Sequence, residues 1–167
     1  DVRMDAGPAG LRDVGMVDLA AVRATVKGVE LVGAADVDVP LLGLFGATKT
    51  FGPQKGLSDD DLLIVDRILD QFVAAVLGSR PSERRLADTP GAGAAGGLGF
   101  GILAAGGSVI RGVDLVAEAV GLAAACADHD LVLTGEGTFD HTSRSGKVVY
   151  GVAERAAAAA RPCVVLA

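Results

Sequence analysis

Apolar positions along the chain fall into one strong helical pattern and several short runs of strand type. Leu62, Val65, Ile68, Leu69, Phe72, Val73 and Val76 recur at spacings of three and four, which marks one buried face of a helix. Ser58-Asp-Asp-Asp61 precedes them as a capping box with Asp in place of Glu, and acidic residues suit a helix start. Gly78 is a natural stop. Leu19, Val22 and Val26 suggest a shorter helix, and Gly112–Val120 another. Glu30–Ala35, Asp130–Thr134 and Cys163–Leu166 read as strands, the last of buried parallel type, with an Ala-rich helix over 148–160 before it. Gly91–Ile110 runs twenty residues without a charge, long enough to span a bilayer. Its Gly and Ala contribute little to insertion, so a buried core helix is expected instead. Within it Gly93, Gly97 and Gly101 fall four apart and would share one helical face. Each glycine costs a helix about 1 kcal/mol against alanine, so close approach by another backbone or a ligand must offset it.

Strands alternating with helices predict an α/β fold. The 167 residues are 50% hydrophobic, enough for one good core or for one domain and part of another. A net charge of −6 without a basic cluster excludes a nucleic-acid surface. No membrane association is expected either. Cys126 and Cys163 show neither metal spacing nor a disulfide framework, and read as buried free thiols of a reducing, cytoplasmic compartment. The chain opens on Asp1 without a signal peptide and closes on a buried-type strand, so a fragment of a longer enzyme is expected.

Candidate chemistry sits in polar, glycine-rich stretches. Asp130-Leu-Val-Leu-Thr-Gly-Glu-Gly-Thr-Phe-Asp140 ends an apolar run in Gly135, Glu136 and Gly137, followed by Asp140 and then Ser145-Gly-Lys147. Ligands of open α/β sheets bind at such strand-to-loop ends. The glycines allow close backbone approach, the carboxylates hold Mg²⁺ or take a proton, and Lys147 is a point charge for phosphate. Asp140 is a general base, a metal ligand or the N-cap of a turn. Asp36 and Asp38 would share one side of a continuing strand and bind Mg²⁺ or orient substrate; the alternative is a strand-end turn. Gly43–Gly56 reads as a long functional loop, in which Lys55 holds a carboxylate or phosphate unless it is a solvated lysine. The chain has four lysines, and Lys49, Lys55 and Lys147 all lie in glycine-rich stretches. His129 and His141 have no partner at metal spacing.

Two familiar patterns fail. Gly91-Ala-Gly93-Ala-Ala-Gly96 matches a dinucleotide fingerprint, but Ala87-Asp-Thr-Pro90 ahead of it is no strand. Ser145-Gly-Lys147 resembles the end of a Walker A loop, yet His141 and Val148 stand where Gly and Ser or Thr are required.

Four segments in order resemble the bacterial glycerate kinase family: Ala35-Asp-Val-Asp-Val-Pro-Leu-Leu-Gly43, Phe51-Gly-Pro-Gln-Lys-Gly56, Pro90-Gly-Ala-Gly-Ala-Ala-Gly-Gly-Leu-Gly99, and Leu133-Thr-Gly-Glu-Gly-Thr-Phe-Asp140 with Gly146-Lys147. The resemblance runs from about Gly7 onward. It implies a cytoplasmic transferase that uses ATP and Mg²⁺ to phosphorylate D-glycerate, with 2-phosphoglycerate favoured over 3-phosphoglycerate. Its partners would be ATP and a small hydroxy acid, and a homo-oligomer is compatible with it. The implied architecture is an inserted α/β domain over 1–126 plus 127–167 as the returning part of a discontinuous Rossmann-like parallel-sheet domain, with the site in the cleft between them. The family's N-terminal segment is absent here, so this piece alone is expected to be inactive. Lys55 and Asp140 are the implied catalytic residues. Lys147, Gly135, Glu136, Gly137 and Gly93 would bind substrate or phosphate, and Asp36 and Asp38 metal. Two positions depart from the pattern: Val39 stands where Asn is usual, and Thr142 where Gln is usual. Each removes an amide able to hold a hydroxyl or phosphate oxygen. The alternatives are a kinase of a related small hydroxy or sugar acid, a non-catalytic remnant, or a nucleotide-dependent oxidoreductase using Gly91–Gly96.

Overall fold

Helices and four-residue strands alternate in a mixed α/β arrangement, seen in a computed structural model that describes residues 7–80, 84–138 and 148–167. In chain order the elements are α1 (Ala20–Thr25), β1 (Val32–Ala35), α2 (Ala47–Phe51), α3 (Asp59–Leu77), α4 (Leu98–Ala104), β2 (Ser108–Arg111), α5 (Gly112–Ala119), α6 (Leu122–Asp128), β3 (Val132–Gly135), α7 (Val148–Ala158) and β4 (Cys163–Leu166), with short 3₁₀ turns between some of them. The strands form two two-stranded sheets, β1 with β2 and β3 with β4. The chain divides into two compact units. The first comprises the described residues up to Gly33 together with Asp38–Val109, and the second Ala34–Val37 and Ile110–Ala167.

The first unit is built on α3. Ser58 accepts a hydrogen bond from the Asp61 amide, and the Asp61 carboxylate accepts from the Ser58 backbone, so the capping box is complete. The Ser58 hydroxyl and amide together hold the Asp61 carboxyl below its usual range. Gly78 ends the helix at φ 95°. The buried face of α3 brings Leu69 and Val73 against Leu41, Ala47, Ala87, Ala92, Phe100 and Ala104 in one apolar core. Phe72 meets Phe100 edge to face, ring centroids 6.4 Å apart. Arg23 of α1 donates twice to the Ala104 carbonyl, at 2.9 and 3.1 Å, and so closes the C-terminal end of α4.

Two expectations fail in this unit. Residues 91–110 are not one helix. Gly91, Ala95, Gly96 and Gly97 all take positive φ, which an α-helix excludes, so α4 starts only at Leu98 and gives way to β2 at Ser108. Gly93 and Gly97 therefore share no helical face with Gly101. The stretch 43–56 is not an open loop, because it contains α2 and a 3₁₀ turn at Pro53–Lys55. Gly46 and Gly52 are buried there, and a Cβ on either would strike the Leu42 backbone or the Leu62 side chain and Thr48 carbonyl. No helix among the described residues is long and apolar enough to cross a membrane.

In the second unit, β3 and β4 pair in parallel, with Leu133 opposite Val164 and Gly135 opposite Leu166. α7 packs against both strands and against α5 and α6. Gly151 lets α7 sit on Val113 of α5, where any Cβ would overlap the valine methyls. Arg111 binds Asp114 at 2.7 Å and Glu154 at 2.9 Å, and Arg155 binds Asp114 at 2.7 Å, which ties α5 to α7. Hydrogen bonds from Arg111 and then Arg155 hold the Asp114 carboxyl below its usual range. These contacts explain why residues 110–126 go with the second compact unit. Cys126 is core, as expected, at 2% exposure, whereas Cys163 is only partly buried.

Candidate functional site

The first unit holds Asp38, Lys55 and Gly93. Asp38 is exposed, on an irregular segment that follows β1. That segment is pinned from three sides. The Gly93 amide donates to the Val39 carbonyl at 2.9 Å, the Ala47 amide to the Pro40 carbonyl at 3.0 Å, and the Leu41 amide to the Ala87 carbonyl at 2.9 Å. Gly93 is buried, and a Cβ there would sit 2.9 Å from the Val39 oxygen and 3.0 Å from the Ala47 Cβ. The close approach that demands glycine at 93 is thus to backbone, which is one of the two explanations its cost requires. The segments around 38–43, 47–56 and 90–99 are thereby one packed assembly within the first unit.

Lys55 ends the 3₁₀ turn of Pro53–Lys55, and Gly56 reverses the chain at φ 85°. The lysine is exposed and lines a cavity of about 370 Å³ with Thr48, Phe51 and Gly52 of the α2 region, Leu57, Val65 and Leu69 of the α3 region, and Gly96 of the glycine loop. Thr48 is 5% exposed, and its hydroxyl has no hydrogen-bond partner among the described residues. Sequence reasoning missed it, because nothing about a threonine between two glycines signals a buried, unpaired hydroxyl.

The second unit holds Asp36, Gly135, Glu136 and Gly137. Asp36 does not extend β1, which ends at Ala35, so the continuing strand expected to align it with Asp38 is not formed. It lines a largely apolar cavity of about 390 Å³ beside Gly112, Val113 and Val116. A Cβ on Gly112 would lie 2.7 Å from Asp36 Oδ1, so glycine at the start of α5 makes room for this carboxylate. Gly135 brings β3 against the Leu166 carbonyl, 2.7 Å from where its Cβ would be. The Glu136 amide donates to that same carbonyl at 3.0 Å, and one carboxylate oxygen of Glu136 is buried with no hydrogen-bond partner among the described residues. Gly137 is open on its Cβ side. Glu136 thus stands at the carboxyl end of a parallel strand, where α/β sheets place ligands, with an acceptor that nothing here satisfies.

Asp140, Lys147, His141 and Thr142 lie outside the described residues. His129 caps α6, with Nδ1 2.8 Å from the Ala125 carbonyl, which accounts for it structurally. No group of three or more His, Cys, Asp or Glu among the described residues is arranged to hold a metal. Mg²⁺ usually takes only one or two carboxylates and completes its shell with water and substrate phosphates, so hard, exposed oxygen donors such as Asp36 and Asp38 fit that mode. The Gly91–Gly96 pattern follows a 3₁₀ turn over Arg84–Asp88 rather than a strand, so it lacks the context of a dinucleotide fingerprint.

Known proteins match the chain over nearly its whole length. The model of the glycerate kinase family matches residues 1–167. Glycerate kinase of Bacillus subtilis is 40% identical over 153 residues, covering 90% of this chain and 40% of that protein. Glycerate 2-kinase of Escherichia coli is 34% identical over 162 residues, covering 96% of this chain and 42% of that protein. A crystal structure assigned as glycerate kinase 2 from Salmonella typhimurium LT2 superposes with a TM-score of 0.74 at 34% identity, over 97% of this chain and 42% of that one. The chain therefore spans about two fifths of the length of the relatives it matches. By sequence and by backbone, it belongs to the glycerate kinase family.

Proposed function

We propose that the whole protein carrying this chain is a kinase that transfers the γ-phosphoryl of ATP to D-glycerate, giving 2-phosphoglycerate, with Mg²⁺ as cofactor. The observation that carries this reading is the convergence of three family segments in the first unit, where the Gly93 loop and α2 together fix the backbone that presents Asp38. The named relatives support the reaction class. Phosphoryl transfer asks a protein mainly to position its reactants and to neutralise charge. Mg²⁺, bound with ATP, supplies part of that neutralisation, and Asp36 and Asp38 are the hard oxygen ligands proposed to hold it.

Lys55 places a fixed positive charge, free of any acidic partner among the described residues, for the substrate carboxylate or a phosphate. Lys147 does the same from the stretch of chain between β3 and α7, and Gly93, Gly135 and Gly137 let backbone approach the ligands. Glu136 accepts a hydrogen bond from a ligand hydroxyl through its unpaired oxygen. Asp140 takes the proton of the attacking glycerate hydroxyl as the new O–P bond forms and ADP leaves. We assign residues 1–126 to the inserted domain and residues 127–167 to the returning part of the discontinuous one. A homo-oligomer and a cytoplasmic location are part of the same reading.

A second reading, a kinase of a related hydroxy or sugar acid, rests on Val39. Its carbonyl keeps the bond to Gly93, but its side chain offers no amide to a substrate hydroxyl. The test of both is turnover of the whole protein with ATP, Mg²⁺ and a panel of hydroxy acids, with ³¹P NMR of the product. D-Glycerate turned over to the 2-phosphate supports the first reading. Turnover confined to another acid supports the second.

A further inference from the structure

Asp36 and Gly112 stand just past the ends of a strand pair. β1 and β2 lie side by side. The Ser108 amide donates to the Leu31 carbonyl at 2.9 Å where both begin, and Gly112 lies against the Asp36 carboxylate where both have stopped. The strands therefore run in the same direction and place these two residues at their carboxyl ends. α5 starts there, and α7 starts with Val148 in the wall of the cavity that Asp36 lines. Strand carboxyl ends that meet helix starts are where α/β sheets bind ligands. Among the described residues, Asp36 is the one charged group in that wall.

Gly112 is not explained by the needs of its own helix. Its φ is not positive, so no left-handed turn demands glycine there. Glycine is a poor helix former, and alanine would serve α5 at least as well. Apart from its chain neighbours and its own helix backbone, a Cβ at 112 would meet Asp36 Oδ1 at 2.7 Å, Asp36 Cγ at 3.7 Å and no other described atom within 4 Å. The Asp36 side chain has no ion-pair partner among the described residues to anchor it. A methyl at 112 would thus push this carboxylate aside and disturb nothing else. The fold loses little by that, whereas a ligand held by the carboxylate loses its contact.

We propose that Gly112 is a positioning residue of the kinase: by lacking a Cβ, it lets the Asp36 carboxylate lie at the carboxyl ends of β1 and β2, where it serves as an oxygen ligand of Mg²⁺. Groups that set the place of a metal ligand commonly matter nearly as much as the ligand itself. The helix-forming tendency given up at the start of α5 is then spent on function.

The inference rests on the reading of Asp36 as a Mg²⁺ ligand, and a binding cycle separates the two. Calorimetry on the whole protein would follow a non-hydrolysable ATP analogue with saturating Mg²⁺ and again in EDTA. Gly112→Ala and Asp36→Ala should each weaken the Mg²⁺-loaded analogue about 10-fold or more, the scale on which metal affinity responds to such support. Both should leave the metal-free analogue within about twofold of wild type. The double variant should match Asp36→Ala within about twofold, because the methyl then has no carboxylate to displace. The urea midpoint of Gly112→Ala should be unchanged or higher. Wild-type binding by Gly112→Ala beside a weakened Asp36→Ala overturns the inference and leaves the metal role of Asp36 standing. An equal loss with and without Mg²⁺ overturns it too, as does a further loss when Gly112→Ala is added to Asp36→Ala. Wild-type binding by Asp36→Ala removes the metal role and the inference together. Should both variants behave as expected while no hydroxy acid is phosphorylated, the inference stands and the kinase reading falls.

Discussion

The amide of Gly93 donates to the carbonyl of Val39 at 2.9 Å, joining two segments that lie far apart in the chain. This bond explains both why a glycine stands at 93 and how a loop after α3 fixes the backbone next to Asp38. Gly93→Ala would drive a methyl into the Val39 and Pro40 oxygens. We expect it to cost roughly 2–3 kcal/mol of stability, the usual scale of overpacking. Gly101→Ala has nothing within 4 Å of the new methyl and lies inside α4. It should stabilise by about 0.5–1 kcal/mol. Urea unfolding of the two variants checks the contrast.

The α5–α7 tie predicts a pH dependence. The Asp114 carboxyl is held below its unfolded value by Arg111 and Arg155. Its contribution is therefore fully present above the unfolded value, near pH 4, and is lost as pH falls through the lower, folded value. Asp114→Asn should cost roughly 1–2 kcal/mol at pH 7, discounted for its partial exposure, and less at about pH 3, below the unfolded value. Unfolding curves at the two pH values decide it. An equal cost at both would mean that the carboxylate charge is not what joins α5 to α7.

Glu136 should show the signature of a ligand-facing group. One of its oxygens is buried and unpartnered in the described structure, so neutralising it relieves a cost in the free protein. We expect Glu136→Gln to leave thermal stability unchanged or to raise it by about 1 kcal/mol, while phosphorylation falls more than about tenfold. Melting curves and steady-state rates on the same preparation test this. A variant less stable and equally active would make Glu136 a structural residue.

The sequence shows most clearly those features whose determinants are local. α3 is legible because seven apolar residues keep one period between a serine cap and a glycine stop. β3, α7 and β4 are legible because apolar runs alternate with an Ala-rich helical stretch. The region 91–111 is not, because Gly and Ala carry no periodicity, and four residues are too few to announce β2. α6 escapes for the same reason: Leu122–Asp128 is alanine-rich, and only Val120 and Gly121, the latter at φ 67°, separate it from α5. At the candidate site, the residue types at 38, 55, 93 and 136 stand out in the sequence as charges and glycines in polar stretches. Thr48 does not, since its burial follows from the packing of α2 under Leu41 and α3. The separation of Asp36 from Asp38 into different compact units is equally hidden, because it depends on where the chain passes between units.

The most direct test of the central claim is the specificity constant of the whole protein for D-glycerate in Lys55→Ala and Asp38→Asn, with Lys27→Ala as an exposed control of equal charge change. We expect kcat/KM to fall at least about 100-fold in each of the first two, the loss of roughly 2.7 kcal/mol of transition-state stabilisation, and to stay within about twofold in the control. Unchanged kcat/KM in Lys55→Ala and Asp38→Asn, with the fold intact, would contradict it.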